Sequence, residues 1–365
     1  MLKLFCRFFL VCLSCQIFCA SLPVYIAGTQ GETGIATLWI TDTLGTNIQA
    51  MPIGDPGFYS EAHQVIAVNN KLCCVGVQYA TSPTAMLWIT DLAGSLLNAI
   101  PLETIDGNQS YAYSISAHGT QLFCVGQQTP GSEGNAALSA SSKVFSGGAQ
   151  RTTSSPWNFA TLWVTDLLGD QLTSKTLGKA TGSSLIKSKA ALGDRLFCAG
   201  MQNDSIDKAT AWITDFSGNP IHSVYFSEDN LNSQASCIAT NTLQFFIGAQ
   251  RQTLNSSNSQ ASLWITDTTF SNTNVQTLVT TNTQPSNVNA VASANNTIYC
   301  VGQQGPEDSP QARLWITEEK STTTILLSKE SSNAFGIYIH KPPEQFKTFT
   351  QALSKFSPVD CQKEV

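Results

Sequence analysis

Charge is scarce in this chain: Asp, Glu, Lys and Arg make up 12% of its 365 residues, and there are only four His and four Met. The formal net charge of −6 is carried without any basic run or stripe, which excludes the electrostatic footprint of a nucleic-acid or anionic-membrane binder. His63, His118, His222 and His340 include no two at metal-ligand spacing, so no zinc site is expected. There is no Gly-x-Ser-x-Gly, no phosphate-binding loop and no acidic calcium loop, and no cofactor is expected either. These absences remove the enzymes that are recognised by a local motif. They do not remove those whose carboxylates come singly from distant loops.

Long apolar runs are also missing after the first twenty residues, so no membrane span is expected in the mature chain. The opening "MLKLFCRFFLVCLSCQIFCA" places Lys3 and Arg7 before an apolar stretch ending in small residues, broken by Gln16. It reads as a signal peptide over 1–20, cleaved near Ala20 or Ser21. The protein is then exported (periplasmic, cell-envelope or secreted), and loss of the two cations changes its charge from −6 to −8. Four of the eleven cysteines leave with that segment. The seven that remain are an odd number, which excludes a disulfide framework.

What the sequence has in abundance is repetition. "ATLWITDTLG" at 36–45 returns as "AMLWITDLAG" (85–94), "ATLWVTDLLG" (160–169) and "ATAWITDFSG" (209–218), and more loosely at 261–270 and 312–321. The tryptophans Trp39, Trp88, Trp163, Trp212, Trp264 and Trp315 are separated by 49, 75, 49, 52 and 51 residues, so one interval is longer by half a repeat. Each unit also has an apolar stretch ending in Gly-x-Gln, an opening stretch such as "HQVIAVNN" or "NAVASANN", and a closing one such as "NIQAMPI". Four short β-type runs per unit, punctuated by Gly, Asn, Asp and Ser, predict a four-stranded antiparallel meander.

The Trp segment explains why the units stack. Ala36, Leu38 and Ile40 point to one face of the strand and Thr37, Trp39 and Thr41 to the other, so both faces carry bulk that needs cover. Sheets arranged radially cover each other on both sides, which is the β-propeller arrangement. Only one strand, "VYIAG", precedes the first Trp segment, whereas "SSNAFGIYIHK" (331–341) follows the last and aligns with the opening strand "PSNVNAVASANN" (285–296). The fold class is therefore all-β: a six-bladed β-propeller of four-stranded antiparallel blades over 22–341, closed by the C-terminal strand completing the N-terminal blade.

In this pattern the chain resembles the secreted bacterial β-propeller repeat proteins, in which a "YVxG"-like strand precedes a second apolar strand and an Asp/Gly turn. It departs from WD40, whose Trp and Asp are adjacent, from kelch, which has a double Gly, and from the sialidase Asp box. The resemblance implies an architecture and no activity.

The repeated residues read first as structure. The six Trp pack blade on blade, and the following Asp42, Asp91, Asp166, Asp215 and Asp267 (Glu318 in the last unit) cap their turns, most with Gly three residues on. Cys74, Cys124, Cys198 and Cys300 lie two residues before the repeat Gly, where other units have Ile26 and Phe246, so they read as small core hydrophobes. Gln30, Gln78, Gln128, Gln202, Gln250 and Gln304 end the same strand in each unit. They either satisfy neighbouring backbone or form a polar ring that binds a carbohydrate or peptide.

The long interval is an insert at 129–159, 31 residues where other units have 5 to 10. Within it "FSGGAQRTTSS" (145–155) imitates "FFIGAQRQTLNSS" (245–257), so it reads as a decayed half-repeat forming a β-hairpin rather than a seventh blade. It holds Arg151, Trp157 and Phe159, residue types favoured at binding hot spots, and is the expected partner contact. In the tail, 342–365, Phe346, Phe349, Leu353 and Phe356 recur at helical spacing, predicting a short amphipathic helix.

The function expected is an exported, non-catalytic, monomeric binding or scaffold protein. It takes a protein or carbohydrate ligand on one propeller face and the insert. The alternative is a propeller enzyme acting on glycans, a hydrolase or lyase. Convergence of Asp55, Glu61, Glu103, Asp106, Tyr111 and Tyr113 around the central opening would favour that alternative.

Overall fold

The computed structural model describes residues 22–340 except 103–108, 120, 129–132, 141, 152–157, 169–171, 180–181, 227–230, 254–257, 280–283, 307 and 319–320. The segments 1–20 and 342–365 thus lie outside the described residues. Twenty-six strands and no helix occur among those described. Blade one contains β1 (Val24–Gln30), β2 (Ile35–Thr41) and β3 (Gln49–Pro52). Blade two is β4 (Tyr59–Val68), β5 (Lys71–Tyr79), β6 (Pro83–Asp91) and β7 (Leu96–Pro101). A two-stranded pair follows, β8 (Ser110–His118) and β9 (Gln121–Gln128). Blade three is β10 (Glu133–Ala140), β11 (Lys143–Arg151), β12 (Asn158–Asp166) and β13 (Thr173–Thr176).

Blade four comprises β14 (Ser184–Leu192), β15 (Arg195–Asn203), β16 (Asp207–Asp215) and β17 (Pro220–Tyr225). Blade five comprises β18 (Leu231–Thr240), β19 (Gln244–Thr253), β20 (Gln260–Asp267) and β21 (Thr273–Thr277). Blade six comprises β22 (Ser286–Ala294), β23 (Thr297–Gln304), β24 (Gln311–Glu318) and β25 (Ser321–Leu326). The last strand, β26 (Ser332–Ile339), pairs antiparallel with β1, so blade one has the order β26-β1-β2-β3 and the chain closes its ring with strands from both ends. The fold is thus a propeller of six four-stranded blades, with one additional pair of strands.

That pair accounts for the long Trp interval. Residues 133–151 form two antiparallel strands laid into the ring as the inner half of blade three, where β11 pairs along its whole length with the Trp strand β12. β8 and β9 stand between blades two and three and, among the described residues, join β10 at Gln127 to Glu133 alone. Seven inner strands therefore surround the axis, in the order β26, β4, β8, β10, β14, β18 and β22.

Each Trp faces the preceding blade, as the alternation of its strand requires. Trp39 packs with Ala312, Leu314 and Ile316, and Trp88 with Ala36 and Leu38. Trp39, Trp88, Trp212, Trp264 and Trp315 are at most 3% exposed, whereas Trp163, whose blade follows the two-stranded pair, is half-buried. The Asp turns are capped as expected: Asp42 Oδ1 accepts from the Leu44 and Thr46 amides, and Asp215 Oδ1 from Ser217 and Asn219. Gly45 and Gly94 take the positive φ those turns need.

Six serines fasten blade to blade. The amides of Ala36, Ala85, Ala160, Ala209, Ala261 and Ala312 donate to Ser60, Ser110, Ser184, Ser233, Ser286 and Ser332 respectively, at 2.7–3.0 Å. Each serine lies within the first three residues of an inner strand, and each alanine stands near the start of the Trp strand of the blade before it.

Two positions need correction. In blade five Ser233 pairs with Arg251, whereas Ser60, Ser184 and Ser286 pair with Gln78, Gln202 and Gln304. Arg251, and not Gln250, is therefore the repeat equivalent. By the same register Ile247, and not Phe246, lies opposite Trp264 where Cys74 lies opposite Trp88. "FFIGAQ" has its Gly one residue early, and pairing follows the inward and outward alternation of the strand rather than the Gly-x-Gln motif. The described cysteines are all free, and only Cys124 is not fully buried.

Candidate functional site: the bulge ring at the propeller mouth

Every inner strand carries a β-bulge at the same height. The register of β4 on β5 skips His63, that of β8 on β9 skips Tyr113, and the other inner strands skip Asn135, Lys187, Ser236, Asn289 and Phe335. A bulge adds one unpaired residue and re-aims its side chain. Here the seven skipped residues, with Leu185, line one cavity of about 380 Å³ at the mouth of the channel. A deeper cavity of about 180 Å³ continues past them to Lys189, Cys237 and Ile337.

The repeat glycine makes the bulge possible. A Cβ on Gly76 would stand 1.8 Å from the Glu61 carbonyl oxygen, and one on Gly126 would stand 1.7 Å from that of Tyr111. The bulge drives the inner-strand carbonyl into the space a side chain would fill at these two positions, so Gly fits beside it there, whereas blade five accommodates Ala249 at the equivalent place.

Three of the seven side chains also sew the ring. His63 Nδ1 lies 3.0 Å from Ala112 O, Asn135 Nδ2 donates to Ile186 O at 3.4 Å, and Asn289 Nδ2 donates to Ala334 O at 2.9 Å. Each acceptor is the residue before the bulge in the following inner strand.

One side of the mouth is aromatic. Phe335 meets His63 edge-on at 5.4 Å, His63 stacks on Tyr113 at 5.3 Å, and Tyr113 stacks on Tyr111 at 6.0 Å. Tyr79 then meets Tyr111 at 6.3 Å and Tyr59 at 5.2 Å, both edge-on. Glu61 stands within this arc, its carboxylate 3.0 Å from His63 Nε2 and accepting a short hydrogen bond from the Tyr59 hydroxyl. Burial pushes the Glu61 carboxyl up, but the bonds from His63 and Tyr59 and the His63 charge outweigh it and hold it below the usual range. Burial and the neighbouring Tyr111 and Glu61 push the Tyr79 phenol up to about 12.

The facing side is polar. Lys187 Nζ donates to Gln234 Oε1 at 3.0 Å, Gln234 Nε2 to Asp207 Oδ2 at 2.8 Å, and Asn203 Nδ2 to Asp207 Oδ1 at 2.6 Å. Ser236, Asn135 and Asn289 complete it. Among the described residues no group of three His, Cys, Asp or Glu is placed to hold a metal, and no helix is long and apolar enough to cross a membrane.

Of the residues singled out in the sequence, Glu61, Tyr111 and Tyr113 converge on the mouth. Asp55 lies in an exposed turn, binding the Gly57 amide, and Glu103 and Asp106 lie outside the described residues. Gln30, Gln78, Gln128, Gln202 and Gln304 stand one strand further out on the same face, and Gln250 one residue off that position. Gln202 Oε1 accepts from the Lys179 amide at 2.9 Å and Gln78 Oε1 from Asp55 at 3.4 Å, so these two cap incoming loops. In the insert, Phe159 is half-buried and the Arg151 backbone pairs with Asn158, while the Arg151 side chain and Trp157 lie outside what is described. Sequence reasoning missed the bulge residues His63, Asn135, Lys187, Ser236, Asn289 and Phe335 as a set. The repeat Gly was the available signal, since it stands opposite the residue before the bulge in every inner strand but that of blade five, where Ala249 takes its place.

No family model matches the chain, and no curated protein matches it. Among solved structures, TolB from Acinetobacter baumannii aligns over 87% of this chain at 12% identity and a TM-score of 0.49, and the chain spans 66% of that protein's length. A chain of the Mitotic Checkpoint Complex crystal structure aligns over 81% of this chain and 91% of its own, at 12% identity and a TM-score of 0.50. The second likeness shows the propeller fold, and the fold alone.

Proposed function

We propose that the chain is an exported, non-catalytic, monomeric binding protein that takes a carbohydrate in the mouth of the propeller. The observation that carries this reading is the bulge ring, which sets an aromatic arc with one carboxylate against a lysine and three polar side chains across a cavity of about 380 Å³. That volume falls in the range of small-molecule sites, roughly 300–1,000 Å³. A sugar offers apolar C–H faces to aromatic rings and hydroxyls to carboxylate, amide and ammonium groups, so both sides of this mouth have a role. The outer shelf of Gln30, Gln78, Gln128, Gln202, Gln250 and Gln304, and the Arg151, Trp157 and Phe159 segment, would meet the rest of a longer chain.

The chemistry of Glu61 supports binding over hydrolysis. A glycosidase acid needs its pKa raised so that it arrives protonated, with a second carboxylate across the bond. Glu61 is held low by two hydrogen bonds and is suited to accepting them. The resemblance to secreted bacterial propeller repeats and the apolar segment 1–20 support export.

The test is calorimetric titration of the full chain with neutral and uronate-containing oligosaccharides, with reducing ends monitored in parallel. Saturable binding is expected, weakened at least about tenfold by Tyr111→Ala and by Glu61→Gln. Binding unaffected by both substitutions, a folded protein that binds no sugar, or release of new reducing ends would overturn the reading.

A further inference from the structure

Between blades two and three the ring holds half a blade. In every complete blade the second strand is sealed along its outer edge by the Trp strand, as β5 is by β6. β9 has no such partner: among the described residues it meets β10 at Gln127 alone, leaving the edge from Gln121 to Gly126 unpaired by any strand. Exposure follows. β1, β5 and β23 are buried along nearly their whole length, whereas every residue from Leu122 to Gln127 is only partly buried.

The two walls of the gap agree with this. Ala85 and Leu87 of blade two are 5% and 8% exposed, where Ala36, Leu38, Ala312 and Leu314 are at 0%. On the Trp strand of blade three, Trp163 is the one Trp of the six that is not buried. The blade-to-blade interface that β8 makes with β4, β5 and β6 is continuous with this wedge and stops where the outer strands are lacking.

We propose that the wedge accepts one β-strand from a partner polypeptide, which pairs antiparallel with β9 and forms the third strand of a seventh blade. An open, half-buried edge is a template for strand addition, with main-chain bonds giving affinity and alternate side-chain pockets giving selectivity. The chemistry of the occupant is specified by the strands that fill this position elsewhere. Leu87 lies opposite Val75, Trp88 opposite Cys74 and Ile89 opposite Cys73. Transferred to β9, a branched aliphatic residue falls opposite Val125 and faces Trp163. An aromatic falls opposite Cys124 and packs on Leu87, and a further aliphatic falls opposite Phe123. The partner segment is thus an uncharged extended run alternating large apolar side chains on both faces.

The probe is a fluorescent peptide of the chain's own strand, ATLWITDTLG, titrated into the full-length protein. Saturable binding is expected, with protection of the Leu122–Gly126 amides from hydrogen exchange and several-fold slower alkylation of Cys124. Replacing the peptide's Trp by Ala or its Ile by Pro, or making Cys124→Arg in the protein, should weaken binding about tenfold or more. A melting curve confirms that the variant is folded, and Tyr111→Ala should leave peptide binding unchanged. Equal binding of a scrambled peptide, or unchanged Cys124 alkylation and exchange at saturating peptide, would overturn the proposal. Self-association of the protein that the peptide displaces would overturn the partner assignment and make a second copy of the chain the occupant.

Discussion

Ser332 Oγ accepts a hydrogen bond from the Ala312 amide at 3.0 Å and donates to Glu330 O at 3.0 Å, fixing the first residue of the last strand to the blade behind it. The same bond joins five other blade boundaries, but only here does it hold the strand that closes the ring. Ser332→Ala leaves a buried amide without a partner, which costs about 1–3 kcal/mol. Urea denaturation should show that loss, and Ser332→Thr, which keeps the hydroxyl, should restore most of it. An unchanged midpoint in the alanine variant would mean that the latch contributes nothing.

Gly76 is the point where the backbone of β5 supports the mouth. Gly76→Ala puts a methyl group 1.8 Å from Glu61 O, so β4 must shift and carry Glu61 and His63 with it. The expected result is a loss of about 1–3 kcal/mol together with loss of ligand binding at the mouth. Gly119→Ala, where no atom lies within 4 Å but φ is positive, should cost about 1 kcal/mol and leave binding intact.

Lys189 is a buried lysine at a height where the other inner strands carry Val65, Ile115, Ala137, Ile238, Val291 and Ile337. Its Nζ donates to Ala136 O at 2.6 Å and to Phe145 O at 2.5 Å, and burial lowers its pKa to about 7. The unfolded chain therefore holds a proton on this lysine between pH 7 and its ordinary value that the folded chain has lost. Stability attributable to Lys189 rises with pH through that window, by up to about 1.4 kcal/mol per pH unit. Buried thiols such as Cys237, raised to about 12, act in the opposite direction at high pH, but they are shared by wild type and variant. The difference in urea midpoint between Lys189→Met and wild type should shrink steadily from pH 7 to pH 9. A constant difference would show that the lysine is charged in the folded state.

The tryptophans give a graded comparison. Trp315→Ala should cost about 3–5 kcal/mol, as for any large buried aromatic. Trp163, facing the half-blade, should cost about half as much or less when truncated. Equal losses in thermal or urea unfolding would mean that the wedge is filled in solution.

The architecture was legible because burial on both faces of "ATLWITD" leaves radial packing as the remedy, and because one strand too few at the start matched one too many at the end. The position of the half-blade was less legible. β9 and β11 both end in Gly-x-Gln, and both match the strand that precedes a Trp segment; adjacency in the chain decided for β11. The mouth was legible only in Glu61, Tyr111 and Tyr113. A bulge leaves no signature of its own in a strand of alternating residues, since His63 or Asn289 simply looks like one polar position among others. Phe270 illustrates the same limit. It takes the positive φ that Gly45, Gly94 and Gly218 have in their Asp turns, held there by stacking on Phe245 at 5.1 Å.

The blade sewn from both ends also sets when the protein can finish folding. Val24 pairs with Ile339, so the first blade has no inner strand until the chain has been synthesised through Ile339. Until then blade one keeps an open edge and the ring has no closure, while the local meanders behind it can already form. A chain cut short before Ser332 would hold every Trp strand and still be an open arc with two raw edges, prone to pair with its neighbours instead of with itself.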